Sequence, residues 1–142
     1  IVRMENDLAV QDLKDHFIDA HVAFVFESVC REELRRYLRE QGIAAEYGKY
    51  CGNGEIDLIA LDRKHKVAYV CECKFRSKPI GMTELNSLIQ KTSVVKELRE
   101  YRIQYCLFSV SGFDADMGGS GALLFNNGDL VHDVMRERKT WA

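Results

Sequence analysis

Two carboxylates and one lysine stand close together in the stretch 54–74, which reads GEIDLIALDRKHKVAYVCECK. In both halves of this stretch charged residues recur at intervals of two, Glu55 and Asp57 in the first and Glu72 and Lys74 in the second, which predicts two strands joined by the polar turn DRKHK. Side chains two apart on a strand lie on one face, so Glu72 and Lys74 share a face. In a hairpin of the two strands, Asp57 comes within reach of that pair. The sequence therefore predicts two carboxylates and an ammonium group gathered on one sheet face.

Charged groups on a half-buried face need compensation. A hard divalent cation, Mg²⁺ or Mn²⁺, would supply it, since Mg²⁺ binds one or two carboxylates and keeps water as its other ligands. Asp57 and Glu72 are then predicted metal ligands, with the backbone carbonyl of Cys73 as a third. Lys74 would stabilise the charge that grows on an attacked phosphate. Spacing alone leaves a second interpretation open, an ion-pair ladder between Lys74 and either carboxylate.

Helices are predicted on both sides of this hairpin. Apolar residues at spacings of three and four predict an amphipathic helix over 20–41, ended by Gly42, with a second helix before it. A further helix, beginning near Thr83, separates the hairpin from the strand RIQYCLFSVS. That crossover predicts two parallel strands. The expected fold is α/β, with a central mixed β-sheet flanked by α-helices.

Length and composition limit the class of protein. A chain of 142 residues with 46% hydrophobic and 30% charged residues is typical of one folded globular domain. Five cysteines without a C-x-x-C pair argue against a zinc ribbon and predict reduced thiols. A net charge of −2 restricts nucleic-acid contact to a local patch. No apolar run approaches the roughly 20 residues of a membrane span, and no signal peptide is recognisable, so we expect a cytoplasmic protein without a membrane partner.

The same residues carry a resemblance to a known superfamily. GEIDLIA and VCECK, preceded by a helix with Phe26 and Glu27, resemble the core of the PD-(D/E)xK nucleases, in which an Asp and a Glu-x-Lys on adjacent strands hold the metal. FESVCREEL, YGKYCGNGEIDLIALD, ECKF and LFSVSGF look like the nuclease-like C-terminal domain of archaeal-type P-loop ATPases. The resemblance covers residues 24–113. It departs from the superfamily pattern at Ile56, where a proline nominally stands.

This resemblance implies a restriction-endonuclease-like core and a single nuclease-like domain over 1–142, with a helical lead-in over 1–20, cut from a longer ATPase chain. It implies that Asp57 and Glu72 bind metal and that Lys74 is the catalytic lysine beside them. Glu27 matches an acid that some members add to the site, although an ion pair with Arg31 is an alternative. The implied nucleic-acid-binding residues are Arg76, Lys78, Gln90 and Lys91.

Two functions are therefore expected. The first is metal-dependent hydrolysis of phosphodiester bonds in DNA, which the complete set of Asp57, Glu72 and Lys74 favours. The second is a catalytically silent nucleic-acid-binding or regulatory C-terminal domain of an archaeal-type ATPase, which the near-neutral charge favours. DNA and a covalently linked ATPase domain are the expected partners. Self-assembly through an exposed edge strand at 122–125 is a further possibility.

Overall fold

The computed structural model describes the backbone of residues 4–52, 54–128 and 130, and side chains from residue 21 onward within those ranges. The predicted last element, beyond Leu130, lies outside the described residues. The elements in chain order are α1 (Met4–Glu40), β1 (Glu46–Gly52), β2 (Gly54–Asp62), β3 (Val67–Lys74), α2 (Met82–Ser93), β4 (Arg102–Ser109) and β5 (Leu123–Asn126), with short 3₁₀ turns at Lys96–Leu98 and Ala115–Gly119.

The strands form one five-stranded sheet in the order β1-β2-β3-β4-β5. The first three are antiparallel neighbours, whereas β4 runs parallel to β3 and β5 runs parallel to β4. Helix α2 connects β3 to β4, as a parallel pair requires. The predicted α/β fold with a mixed sheet and flanking helices is confirmed, including the parallel crossover.

Helix α1 is one continuous helix where the sequence predicted two. No glycine or proline occurs between Met4 and Glu40, so no residue of the types that break helices interrupts it. Its end is as predicted. Gly42 adopts a φ of 75°, and the Ile43 amide donates to the Leu38 carbonyl at 2.8 Å, which satisfies one of the carbonyls left open at a helix end.

Each face of the sheet packs against one helix. The α1 side buries a cluster that includes Phe26, Leu34 and Phe108, and the α2 side buries one that includes Leu88 and Leu107. Strand β3 contributes to the two clusters in strict alternation, because successive side chains of a strand point to opposite faces. The odd residues Val67, Tyr69, Cys71 and Cys73 face α1, while Ala68 and Val70 face α2.

Strand β2 carries one extra residue beside β1. Gly48 of β1 pairs with Ile59 of β2, and the next pair joins Tyr50 to Ile56. These two pairs are two residues apart on β1 but three residues apart on β2. This β-bulge at positions 57 and 58 puts Ile56 and Ile59 into the same cluster, under α2, although a regular strand would place them on opposite faces. Strict alternation was therefore the wrong prediction for β2, and the break falls at Asp57.

Candidate active site

Glu72 and Lys74 stand at the carboxyl end of β3, on the face covered by α2. Glu72 is only 6% exposed. The Lys74 Nζ lies 3.2 Å from its Oε1, and the Lys91 Nζ, on α2, lies 3.9 Å from its Oε2. The second distance exceeds that of a hydrogen bond, and the buried Oε2 has no hydrogen-bond partner. One oxygen of a buried carboxylate is thus left without the partner that such groups normally have.

Asp57 approaches Glu72 from β2. The last pair of the β2–β3 ladder is Leu58 with Cys71, and Asp57 and Glu72 are the next residues outward on the two strands. Burial, followed by the charges of Glu72 and Glu27, raises the pKa of Asp57 above its ordinary value, and the ammonium groups of Lys91 and Lys74 offset part of this. The Asp57 carboxyl thus lies within electrostatic range of two further carboxylates at this edge of the sheet.

Glu27 reaches the site from α1. It follows Phe26, whose buried side chain anchors this part of the helix to the sheet. The Glu27 charge acts on Asp57 and also on the Cys73 thiol. The pKa of that thiol is raised chiefly by a hydrogen bond with the Cys30 thiol and by burial. Cys73 thus lies beside the acids as a packed, protonated thiol.

A cleft of about 500 Å³ opens in front of Glu72. Its walls come from the end of β3, the loop after it, the first three turns of α2 and the loop after β4. The charged residues that line it are Glu72, Lys74, Arg76, Lys78, Glu84, Lys91, Asp114 and Asp116. The cleft therefore combines acidic and basic groups and suits a polar, charged ligand.

The four predicted nucleic-acid-binding residues have different surroundings. Lys78 and Lys91 line the cleft. Arg76 also lines it, but its guanidinium donates to the carbonyls of Lys78 and Pro79 and forms an ion pair with Glu84, so it holds the loop onto α2. Gln90 is exposed on α2 and is not among the residues that line the cleft.

Sequence patterns did not point to three acids that line the cleft, Glu84, Asp114 and Asp116. The two aspartates lie about 40 residues beyond Glu72 in the chain and are brought to it by the parallel crossover. Asp114 is packed against Gly81 at the start of α2, where a Cβ would meet its carboxylate oxygen. A glycine just before a helix was the one available signal that another segment approaches closely.

A metal would have to be held here by few side chains. Within the described part of the chain, no three His, Cys, Asp or Glu side chains are grouped in a way that could hold a metal ion. Asp57 and Glu72 fit the smaller set that Mg²⁺ needs, one or two carboxylates plus water. The Glu72 Oε2 has no hydrogen-bond partner, whereas Cys73, whose carbonyl was the third predicted ligand, still pairs with Phe108 of β4 beyond the end of the β2–β3 ladder.

Comparison with known families places the chain in one of them. The DUF234 family, described as archaea bacterial proteins of unknown function, matches residues 1–92. This chain belongs to the DUF234 family. The matched region runs from α1 to the end of α2 and includes Glu27, Asp57, Glu72, Lys74 and Lys91.

Other comparisons add little on function. No curated protein matches the chain. The crystal structure of a protein of unknown function, AF1548, is similar at 23% identity and a TM-score of 0.48, over 70% of this chain and 56% of that one. The DUF234 chain thus spans little more than half the length of that protein. Among the described residues, no helix is long and apolar enough to cross a membrane.

Proposed function

We propose that this DUF234 chain is a metal-dependent phosphodiesterase domain that hydrolyses the DNA backbone. The observation that carries the proposal is the buried Glu72 carboxylate, with one oxygen paired to Lys74 and the other without a hydrogen-bond partner. Burying such a group costs free energy, which only paired charges and hydrogen bonds offset, and the Oε2 makes no hydrogen bond. Asp57, the next residue outward on the adjacent strand, adds a second carboxylate whose raised pKa shows that its charge is only partly compensated.

Each residue then has a role in hydrolysis. Asp57 and Glu72 would hold Mg²⁺ or Mn²⁺, which when bound supplies positive charge to polarise the scissile phosphate and activate water. Lys74 is held in place by its ion pair with Glu72 and would stabilise the negative charge that develops on the phosphate. Glu27 is a supporting acid on the α1 side. Lys78 and Lys91 would bind the flanking phosphates.

The resemblance to the PD-(D/E)xK nucleases supports the same roles. The order of elements, one helix, three antiparallel strands, a helix and a parallel strand, brings an Asp and a Glu-x-Lys to one end of adjacent strands. Attachment to an ATPase domain, a cytoplasmic location and self-assembly through the β5 edge stay predictions.

A second function is favoured by one observation. Lys74 and Lys91 both face Glu72, and two ammonium groups near one carboxylate partly compensate its charge without any metal. A catalytically silent nucleic-acid-binding or regulatory domain would need no more than this. The two functions differ in whether Asp57 and Glu72 bind a divalent cation.

Cleavage and metal binding test the choice directly. Supercoiled plasmid and linear DNA would be incubated with the chain in Mg²⁺, Mn²⁺ or EDTA, and Mn²⁺ binding would be followed by calorimetry. We expect metal-dependent cleavage that Asp57→Asn, Glu72→Gln and Lys74→Ala each abolish, and Mn²⁺ binding that the first two weaken. Glu55→Gln, an exposed acid on the same strand, is the matched control. DNA binding without cleavage or Mn²⁺ binding would reject the nuclease in favour of the silent domain.

A further inference from the structure

Two phenylalanines are exposed beside the candidate site. Of the six phenylalanine side chains that the structure describes, only Phe24 and Phe75 are exposed, at 66% and 41%. The other large apolar side chains exposed in the described ranges, Ile89, Val94 and Leu130, are aliphatic. Both exposed phenyl rings therefore occur in the part of the chain that supplies the acids.

Phe75 is fixed next to Lys74. It is the first residue after β3, and its ring lies 5.5 Å from that of the buried Phe26, tilted by 57°. This tilted arrangement is one of the favoured contacts between aromatic rings. One side of the Phe75 ring is thus anchored on the α1 core while the rest faces water.

Phe24 is a surface neighbour of Glu27 on α1. Residues three apart on a helix are surface neighbours, so Phe24 and Glu27 lie together on α1. Phe75 contacts Phe26, the residue that precedes Glu27. Both exposed rings therefore lie near Glu27, whose charge acts on Asp57, Phe24 on the outer side of α1 and Phe75 beside the buried Phe26. We call Phe24 and Phe75 the aromatic ledge.

Positive charge accompanies the aromatic ledge. The segment 74–78 reads KFRSK, and its two lysines line the cleft on the α2 side of the sheet. Alternation along β3 sends Lys74 toward α2, whereas the next residue, Phe75, turns toward α1. The site thus has cations for phosphates on one side and exposed aromatic rings on the other.

We propose that the aromatic ledge stacks an unpaired base, which makes DNA with a single-stranded segment the substrate class of the proposed phosphodiesterase. The inference rests on that proposed function for the position of the cleaved bond. Bases in a continuous duplex are already stacked on their neighbours, so only an unpaired base offers a free face to Phe75. Base–aromatic stacking tolerates any sequence and accompanies grooves that bind the backbone through cations.

The test compares three fluorescein-labelled DNA ligands by anisotropy in EDTA, where no cleavage occurs: a single strand, a duplex with a single-stranded tail, and a blunt duplex. We expect Phe75→Ala to weaken binding of the first two by about 5- to 100-fold, since stacking contributes roughly 1–3 kcal/mol per base. Blunt-duplex affinity should change less than about twofold, and Phe75→Tyr should retain wild-type affinity. Phe24→Ala should act in the same direction. Val94→Ala, an exposed apolar residue on the far end of α2, is the control.

The inference would be overturned if Phe75→Ala weakened the binding of all three DNA ligands equally, or weakened the binding of none of them. A dimer of wild-type chains that Phe75→Ala dissociates, without a selective loss of single-strand binding, would overturn it too, since the ledge would then be an interface between copies. Cleavage that still depends on Asp57 in the same preparations would show that the phosphodiesterase proposal stands when the stacking proposal fails. Circular dichroism of each variant verifies its folding.

Discussion

Replacing Asp57 by asparagine should stabilise the metal-free protein while removing its response to Mg²⁺. At neutral pH the ionised Asp57 is partly buried and faces the charges of Glu72 and Glu27, which together raise its pKa. A carboxyl whose pKa is raised in the folded state stabilises that state at pH values below its ordinary pKa of 3.8. This stabilisation is lost as the pH rises through the raised pKa. Asparagine keeps the shape without the charge, so the cost at neutral pH disappears.

The expected size of the effect is modest. One pKa unit corresponds to about 1.4 kcal/mol, and water reaches part of the Asp57 side chain, so we expect a gain of about 0.5–1 kcal/mol. For a domain of this size that raises Tm by roughly 2–5 °C. With Mg²⁺ at about ten times its Kd, the wild type gains about 1.4 kcal/mol, and Asp57→Asn gains much less.

Thermal unfolding at pH 7.5, in EDTA and in Mg²⁺, measures both effects. Glu55→Gln removes the same charge from an exposed position two residues away and should shift Tm by less than about 2 °C in either condition. Two outcomes would contradict this prediction: a lower Tm of Asp57→Asn in EDTA, or a Mg²⁺ shift of Asp57→Asn as large as that of the wild type. The first outcome would mean that Asp57 is already compensated in the folded protein. The second would mean that the metal binds elsewhere.

Three further predictions concern the frame of the site. Gly81→Ala should destabilise the fold by about 0.5–1 kcal/mol in urea unfolding, because the Asp114 carboxylate must rotate away from the new Cβ, and Asp114→Ala should restore most of the loss. Burial tends to raise the pKa of Glu84, but the Arg76 guanidinium lowers it overall. The ion pair therefore stabilises the fold above the ordinary carboxyl pKa and loses this effect as the pH falls. Arg76→Met should cost about 1–3 kcal/mol at pH 7 and flatten the acid limb of a Tm–pH profile. Asp62→Ala should cost about 1 kcal/mol, measured by thermal unfolding, because its carboxylate accepts from the His65 amide at 3.2 Å and contacts its ring at 2.7 Å.

The side-chain directions along β3 and its connection to β4 were predicted from local residue patterns alone. A period of two sorted Val70 and Glu72 from Cys71 and Cys73 because β3 is paired with β4 along its whole length and with β2 as far as Cys71. The crossover through α2 also followed, since a helix between two apolar strands leaves a parallel pair as the simple arrangement.

The side-chain directions along β2 could not be predicted from its residue pattern. A bulge depends on how β2 meets β1, and the alternation EIDLIALD contains no residue that marks it. The bulge shifts the register of β2 against β1 beside Asp57, so the direction of a predicted metal ligand was the feature that the sequence described least well.

The role of the loop after β3 could not be decided from the sequence for a different reason. Arg76 stands beside Lys74 and was predicted to bind nucleic acid, but its guanidinium is engaged by the Pro79 carbonyl and by Glu84. An arginine satisfies carbonyls and carboxylates with the same donors that it offers to phosphates, so its type cannot distinguish the two uses.

The sequence by itself determined which residues share a strand or helix face, because periodicity is set by backbone geometry within a few residues. It thereby placed Glu72 beside Lys74 and ordered the elements of an α/β sheet. The tertiary structure alone decided that Glu27 and Asp57 act on each other, that Glu72 keeps an unpartnered oxygen, and that Asp114 and Asp116 enter the same cleft. Those relations join residues 30 to 44 positions apart, and only the packing of both helices on the sheet fixes them.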